Sequence, residues 1–155
     1  MKPRTAILFS GFLWFAIGAS LIYKGLGFFA EAVQDGDSFV FHMQDWLGTP
    51  HMGGFIWMGA ALFVGFLKGR FVFTKTVQRI VTRIYSLPQP LRFRSVYPPA
   101  YWGLIGGMAL LGMSLRYLSI PLDLRGFIDV AIGFALLNGS YLYFQAKEPD
   151  PNTVK

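Results

Sequence analysis

The chain has 155 residues, of which 54% are hydrophobic and only 14% are charged. A soluble domain usually carries charge on about a quarter of its residues, so the composition favours a protein with a lipid-facing surface. Cysteine is absent, which excludes disulfides, thiolate catalysis and cysteine-ligated zinc or iron–sulfur centres.

The positive charge is concentrated near the middle of the chain. The formal net charge is +6, and seven of the fourteen basic residues lie within residues 68–94, a stretch without Asp or Glu between two apolar segments. Short loops rich in Lys and Arg are retained on the cytoplasmic side of membranes. The pattern therefore predicts anionic lipid headgroups, not nucleic acid, as the partner of this stretch.

These features predict an all-α integral membrane protein, a bundle of four transmembrane helices with a basic amphipathic helix in the central cytoplasmic loop. Both termini are then cytoplasmic, and a bacterial inner membrane is the default location. The predicted spans are about 5–28, 47–67, 97–116 and 126–145, with the basic loop at 68–96 and a flexible polar tail at 147–155.

The first predicted span contains 19 uncharged residues, Thr5 to Tyr23. This length exceeds the usual apolar core of a signal peptide and suits a membrane span, although cleavage near Gly18 is the alternative. Gly11 and Gly18 are seven residues apart, and small residues at helical spacing predict close helix packing.

The outer segment that follows, residues 29–50, has four acidic residues and no basic ones. Residues 34–37 predict a turn. The apolar residues from Phe39 to Trp46 predict a short helix or extended piece in the membrane interface, anchored by Trp46. Weak candidates for metal ligands are His42, Asp45 and His51. They lack a diagnostic spacing, so the sequence predicts a solvated outer loop, no bound metal and no cofactor.

The second span is rich in small residues, and an amphipathic pattern follows it. Apolar residues recur every three or four positions, which is one face of a helix: Phe73, Val77, Ile80, Ile84 and Leu87. This helix either lies on the inner leaflet or continues the second span into the cytosol. The predicted headgroup ligands are Lys75, Arg79, Arg83, Arg92 and Arg94.

Polar residues in the fourth span are candidates for helix contacts or for the lining of a pore. Arg125 and Asp129 are four residues apart and can pair on one helix face. Asn138 and Ser140 form a small polar patch that suits hydrogen bonding between helices. In the third span, Gly103 and Gly107 form a GxxxG match of low specificity.

The two halves of the chain contain short similar segments. Residues 18–23 match residues 112–117 at four of six positions, and residues 54–56 match residues 126–128. An internal duplication would make the halves two parallel hairpins, as in some transporters. Chance similarity among the abundant Gly, Leu and Phe residues is the alternative.

No catalytic motif is present, so the sequence favours a protein that is not an enzyme. The predicted role is structural, accessory or assembly-related, through helix–helix and lipid contacts, with a homo-oligomer or a membrane-protein partner. The alternative is a subunit of an oligomeric channel or transporter for an ion or small solute, with Asn138 and Asp129 as its polar lining. A weaker third hypothesis is a membrane enzyme that uses the outer Asp and His residues.

Overall fold

A computed structural model of the chain describes residues 2–49, 52–86 and 120–146, together with residues 103, 106, 110, 114, 117 and 118. Every regular element within this part of the chain is a helix, which confirms the all-α prediction. The helices are α1 (Pro3–Ala32), α2 (Phe39–Leu47), α3 (Met52–Lys68), a π-helical segment (Gly69–Phe73), α4 (Thr74–Ser86) and α5 (Leu122–Gln145).

Three of these helical stretches are long and apolar enough to cross a membrane: Pro3–Ala32, Met52–Phe71 and Leu122–Gln145. They coincide with the first, second and fourth predicted spans. Most of the third predicted span and most of the repeat match at residues 112–117 lie outside the described residues, as does the tail at 147–155. The described positions of the third predicted span are helical and exposed: Gly103, Gly106, Leu110 and Ser114. Tyr117, just after this span, is also helical and exposed.

The helix boundaries differ from the sequence prediction by several residues. Proline at the first position lets α1 begin at Pro3, because that position needs no backbone donor. The second span does not begin at Leu47, because α2 ends there and the chain turns at Gly48, whose φ of 66° suits glycine. Pro121 precedes α5, which begins four residues before the predicted start.

Helices α1 and α5 pack antiparallel along a seam of small residues. Gly25 lies beside Gly126, Gly18 beside Gly133, and the Ser140 hydroxyl donates a hydrogen bond of 2.8 Å to the Gly11 carbonyl. A side-chain carbon placed on Gly18 would lie 2.8 Å from the Gly133 carbonyl oxygen. The seven-residue spacing on both helices keeps these positions facing each other, so the two backbones are in direct contact.

Helix α3 packs on α5 in the parallel direction. The Trp57 indole N–H donates to the Asp123 carbonyl oxygen at 3.2 Å near the start of both helices. Further along, a side-chain carbon on Gly65 would meet the Ala131 carbonyl at 2.5 Å, and one on Gly69 would meet the Asn138 Cβ at 2.9 Å. Glycine is thus required at Gly65 of α3 and at Gly69 of the π-helical segment, where their backbones approach α5.

The basic amphipathic helix continues the second span. Residues 52–86 are helical without interruption, and the apolar face of α4 packs against the start of α1 and the end of α5. One buried cluster contains Ala6, Ile7, Trp14, Val77, Val81, Ile84, Leu136 and Tyr143. Of the two arrangements that the sequence left open, the structure therefore has the continuous helix, and the apolar face of α4 is buried in protein.

Candidate functional site: a basic face and a buried carboxylate

Charges are separated along the bundle. The half of the bundle that contains the start of α1, the end of α3, the π-helical segment and α4 is here called the basic end. It has seven of the nine described basic residues: Lys2, Arg4, Lys68, Arg70, Lys75, Arg79 and Arg83. All six described acidic residues lie toward the opposite, acidic end: Glu31, Asp35, Asp37, Asp45, Asp123 and Asp129. Within the described residues, the positive charge of the basic end is therefore not neutralised by carboxylates.

Three of the predicted headgroup ligands form one exposed face of α4. Lys75, Arg79 and Arg83 are four residues apart and all exposed, so they line up on one side of the helix. With the polar residues Gln78 and Thr82 they line a shallow open depression. This arrangement can attract an anion or a layer of anionic headgroups. Arg92 and Arg94 lie outside the described residues.

The Arg125 side chain extends from α5 toward α1. Its guanidinium carbon lies 4.7 Å from the centroid of the Phe28 ring, a cation–π geometry. Asp129 is partly buried on α5 and lies within Coulombic reach of Lys24 as well as Arg125. The acid thus has two positive neighbours, one on its own helix and one on α1.

The two polar residues of the fourth span both lie at helix contacts. Asn138 faces Gly69 of the π-helical segment, and its side-chain amide donates to the Phe134 carbonyl at 2.9 Å on its own helix. Ser140 is buried and donates to the Gly11 carbonyl of α1. Their polar groups are therefore directed at backbone oxygens of the same chain.

Two of the three weak metal candidates lie within the described residues. His42 and Asp45 are exposed on α2, and the His42 Nδ1 lies 3.1 Å from the Ser38 carbonyl oxygen. His51 lies outside the described residues. No group of three or more His, Asp or Glu side chains with metal-binding geometry occurs in the described part of the chain.

Asp123 organises the acidic end, and the sequence analysis missed it. This side chain is only 3% exposed. Its Oδ2 accepts a hydrogen bond from the Phe39 backbone N–H at 2.9 Å, and its Oδ1 accepts from the Leu124 N–H at 2.8 Å. The same residue accepts the Trp57 indole N–H at its backbone carbonyl. One residue of α5 therefore holds the first residue of α2 and an aromatic side chain of α3.

The start of α2 is further stabilised by Ser38. Its hydroxyl is the N-cap acceptor for the Phe41 N–H at 3.1 Å and donates to the Ala32 carbonyl at the end of α1. The sequence signal for this junction was weak: a Ser before an apolar run, and an Asp two residues after Pro121, in the first turn of a helix. Neither signal predicts that the start of α2 lies beside Asp123.

The described part of the chain therefore carries two candidate functional features, a basic face on α4 and a buried carboxylate at the start of α5. Comparison with models of known protein families, with curated proteins and with solved structures finds no match to the chain.

Proposed function

We propose that this protein is a small polytopic inner-membrane protein with a structural, accessory or assembly role, exerted through helix–helix and lipid contacts. The observation that carries the proposal is the closed seam between α1 and α5, where the backbones of Gly18 and Gly133 are in contact. A bundle packed this tightly leaves little room for a lumen, while many large apolar side chains point outward and are available to lipid or to another membrane protein.

The proposed topology has four spans and both termini in the cytoplasm. Because α3 and α5 are parallel, α4 ends at the basic end and α5 begins at the acidic end, so the chain between them has to return along the bundle. The helical positions between Gly103 and Tyr117 support a span in that stretch. The excess of Lys and Arg at the basic end supports its placement on the cytoplasmic side.

The alternative is a subunit of an oligomeric channel or transporter, with Asn138 and Asp129 as its polar lining. In such an assembly these two groups would face a space between copies. The Asn138 amide is already directed at the Phe134 carbonyl and packs beside Gly69, which favours the accessory role.

Native mass spectrometry of the protein, gently extracted from its own membrane, separates the two. We expect a complex with a different membrane protein and with retained lipid. A homo-oligomer whose reconstituted ion or solute flux is lost in both Asn138→Leu and Asp129→Ala would instead support the channel. A lipid-free monomer without partners would contradict both.

The exposed basic face of α4 predicts selective binding to anionic membranes. Replacing Arg79 and Arg83 with Gln should weaken the attraction to phosphatidylglycerol or cardiolipin by about 1 kcal/mol for each charge removed. Lipid retention in mixed micelles measures the effect. The matched control is Arg79→Lys with Arg83→Lys, which keeps the charge and should keep the affinity. Equal retention by the Gln and Lys variants would show that these charges set topology only.

A further inference from the structure

The uncharged segments of α1 and α5 are level with each other. On α1, residues 5–23 are uncharged and their midpoint is Trp14; on α5, residues 130–146 are uncharged and their midpoint is Asn138. Both midpoints face the π-helical segment. The Trp14 ring lies 5.1 Å from the Phe73 ring, and Asn138 packs against Gly69.

The uncharged segment of α3 lies at a different height. It comprises residues 52–67, and near its midpoint Ala61 belongs to a buried cluster with Phe29 and Val130. Val130 is the first residue of the uncharged segment of α5, so this cluster lies near the acidic end of the uncharged segments of α1 and α5. Eight residues separate Ala61 from Gly69, which corresponds to about 12 Å along a helix. The apolar band of the bundle is therefore stepped.

A flat bilayer cannot be centred on the uncharged segments of α1, α3 and α5 at the same time. A bilayer centred on Trp14 and Asn138 would hold the exposed charges of Lys68, Arg70 and Lys75 in its hydrocarbon core, which is costly. A bilayer centred on α3 would instead bury Lys24 and Asp129. It would also bring Phe12, which is 64% exposed, to the edge of a hydrocarbon core about 30 Å thick.

A locally deformed bilayer resolves the conflict. We propose that Lys68, Arg70 and Lys75, here called the inner step, bind phosphates of anionic phospholipids below the plane of the surrounding headgroups, so that the inner leaflet is thinned beside α3. This inference rests on the membrane insertion proposed above and adds the ligand and its depth.

Charge and apolar surface at the inner step favour a lipid over a soluble anion. No described acidic residue lies at this height, so within the described residues the three bases have no carboxylate partner. The Phe71 side chain, next to Arg70, is 70% exposed and can contact acyl chains. A phospholipid supplies both a phosphate and acyl chains, whereas inorganic phosphate supplies only the charge. Long Lys and Arg stems can reach toward the headgroup from within the apolar zone.

The first test measures water access at two positions near the π-helical segment. The chain has no Cys, so single-cysteine variants report one site each. Lys75→Cys and Phe12→Cys, in vesicles of phosphatidylglycerol and phosphatidylcholine, are treated with a membrane-impermeant maleimide on both sides. Because maleimide reacts with a hydrated thiolate, Lys75→Cys should react at least about ten-fold faster than Phe12→Cys.

Other outcomes of this test distinguish failure of the proposed thinning at the inner step from failure of the proposed membrane insertion. Slow labelling of both Lys75→Cys and Phe12→Cys would overturn the proposed thinning of the inner leaflet and leave the proposed membrane insertion intact. Fast labelling of Lys75→Cys and Phe12→Cys, with slow labelling of Phe63→Cys on α3, would show that the basic end projects from the membrane. That result would also overturn the proposed thinning. Fast labelling at all three positions would contradict the proposed function itself.

The second test identifies the ligand. Phosphatidylglycerol added to the detergent-solubilised protein should raise its unfolding temperature more than phosphatidylcholine does, and inorganic phosphate should not reproduce the shift. The triple variant Lys68→Gln, Arg70→Gln and Lys75→Gln should lose most of this shift. The control Lys2→Gln with Arg4→Gln, at the membrane surface, should retain it. The lipid site would be overturned if phosphatidylglycerol raised the unfolding temperature of the triple variant as much as that of the parent. It would also be overturned if inorganic phosphate gave the same rise as phosphatidylglycerol. If the triple variant does not fold, the phosphate comparison and the labelling test still decide.

Discussion

Replacing Gly18 with alanine should lower the free energy of unfolding by about 2 kcal/mol, within the range for overpacked cores. The added methyl would lie 2.8 Å from the Gly133 carbonyl oxygen and 3.2 Å from the Leu136 Cβ. Neither neighbour is the tip of a flexible side chain, so α1 and α5 have to separate along the seam. Gly133→Ala should have a similar effect, since its methyl would meet the Gly18 carbonyl at 2.7 Å. Unfolding in mixed detergent, followed by circular dichroism, measures the change.

The matched control is Gly27→Ala on the same helix. Gly27 is exposed, and a side-chain carbon there meets nothing within 4 Å. Alanine is favoured over glycine inside a helix by about 1 kcal/mol, so this variant should be as stable as the parent or slightly more stable. If Gly18→Ala and Gly27→Ala behaved alike, the seam would not hold α1 to α5. Gly59→Leu on α3 extends the control, because Gly59 also faces open space.

Replacing Asp123 with alanine should destabilise the folded protein by about 2–4 kcal/mol, since it removes a buried acceptor of two backbone donors. Phe39 and Leu124 would each lose the oxygen that their N–H groups now contact at 2.9 and 2.8 Å. Helix α2 should then detach from α5, and the protein should become more susceptible to proteolysis between α1 and α2. Asp123→Asn keeps one carbonyl oxygen and should lose less.

Asp45→Ala is the control for Asp123. Asp45 is exposed on α2, and exposed substitutions usually change stability by less than about 0.5 kcal/mol. Chemical unfolding followed by tryptophan fluorescence compares the variants. Equal stability of Asp123→Ala and Asp45→Ala would show that the contact between α2 and α5 contributes little to folding.

The weak points of the sequence prediction have a common cause. Small residues predicted packing in α3, yet Gly59 is exposed whereas Gly65 and Gly69 lie against α5. Periodicity shows which residues share a face of a helix, but the neighbour of that face depends on the register between helices. Asp123 shows the same limit, because its partner Phe39 is 84 residues away in the chain, and no local pattern joins them.

The sequence by itself determined the helical class, three stretches able to cross a membrane and the segregation of basic from acidic residues. Each of these depends on composition or on periodicity within one helix, and so on neighbours close in the chain. Only the tertiary structure decided that α4 continues α3 and buries its apolar face in protein, that Ser140 bonds to Gly11, and that the apolar band is stepped. These features depend on how far one helix is shifted along another, which is set by backbone contacts between small residues distant in sequence.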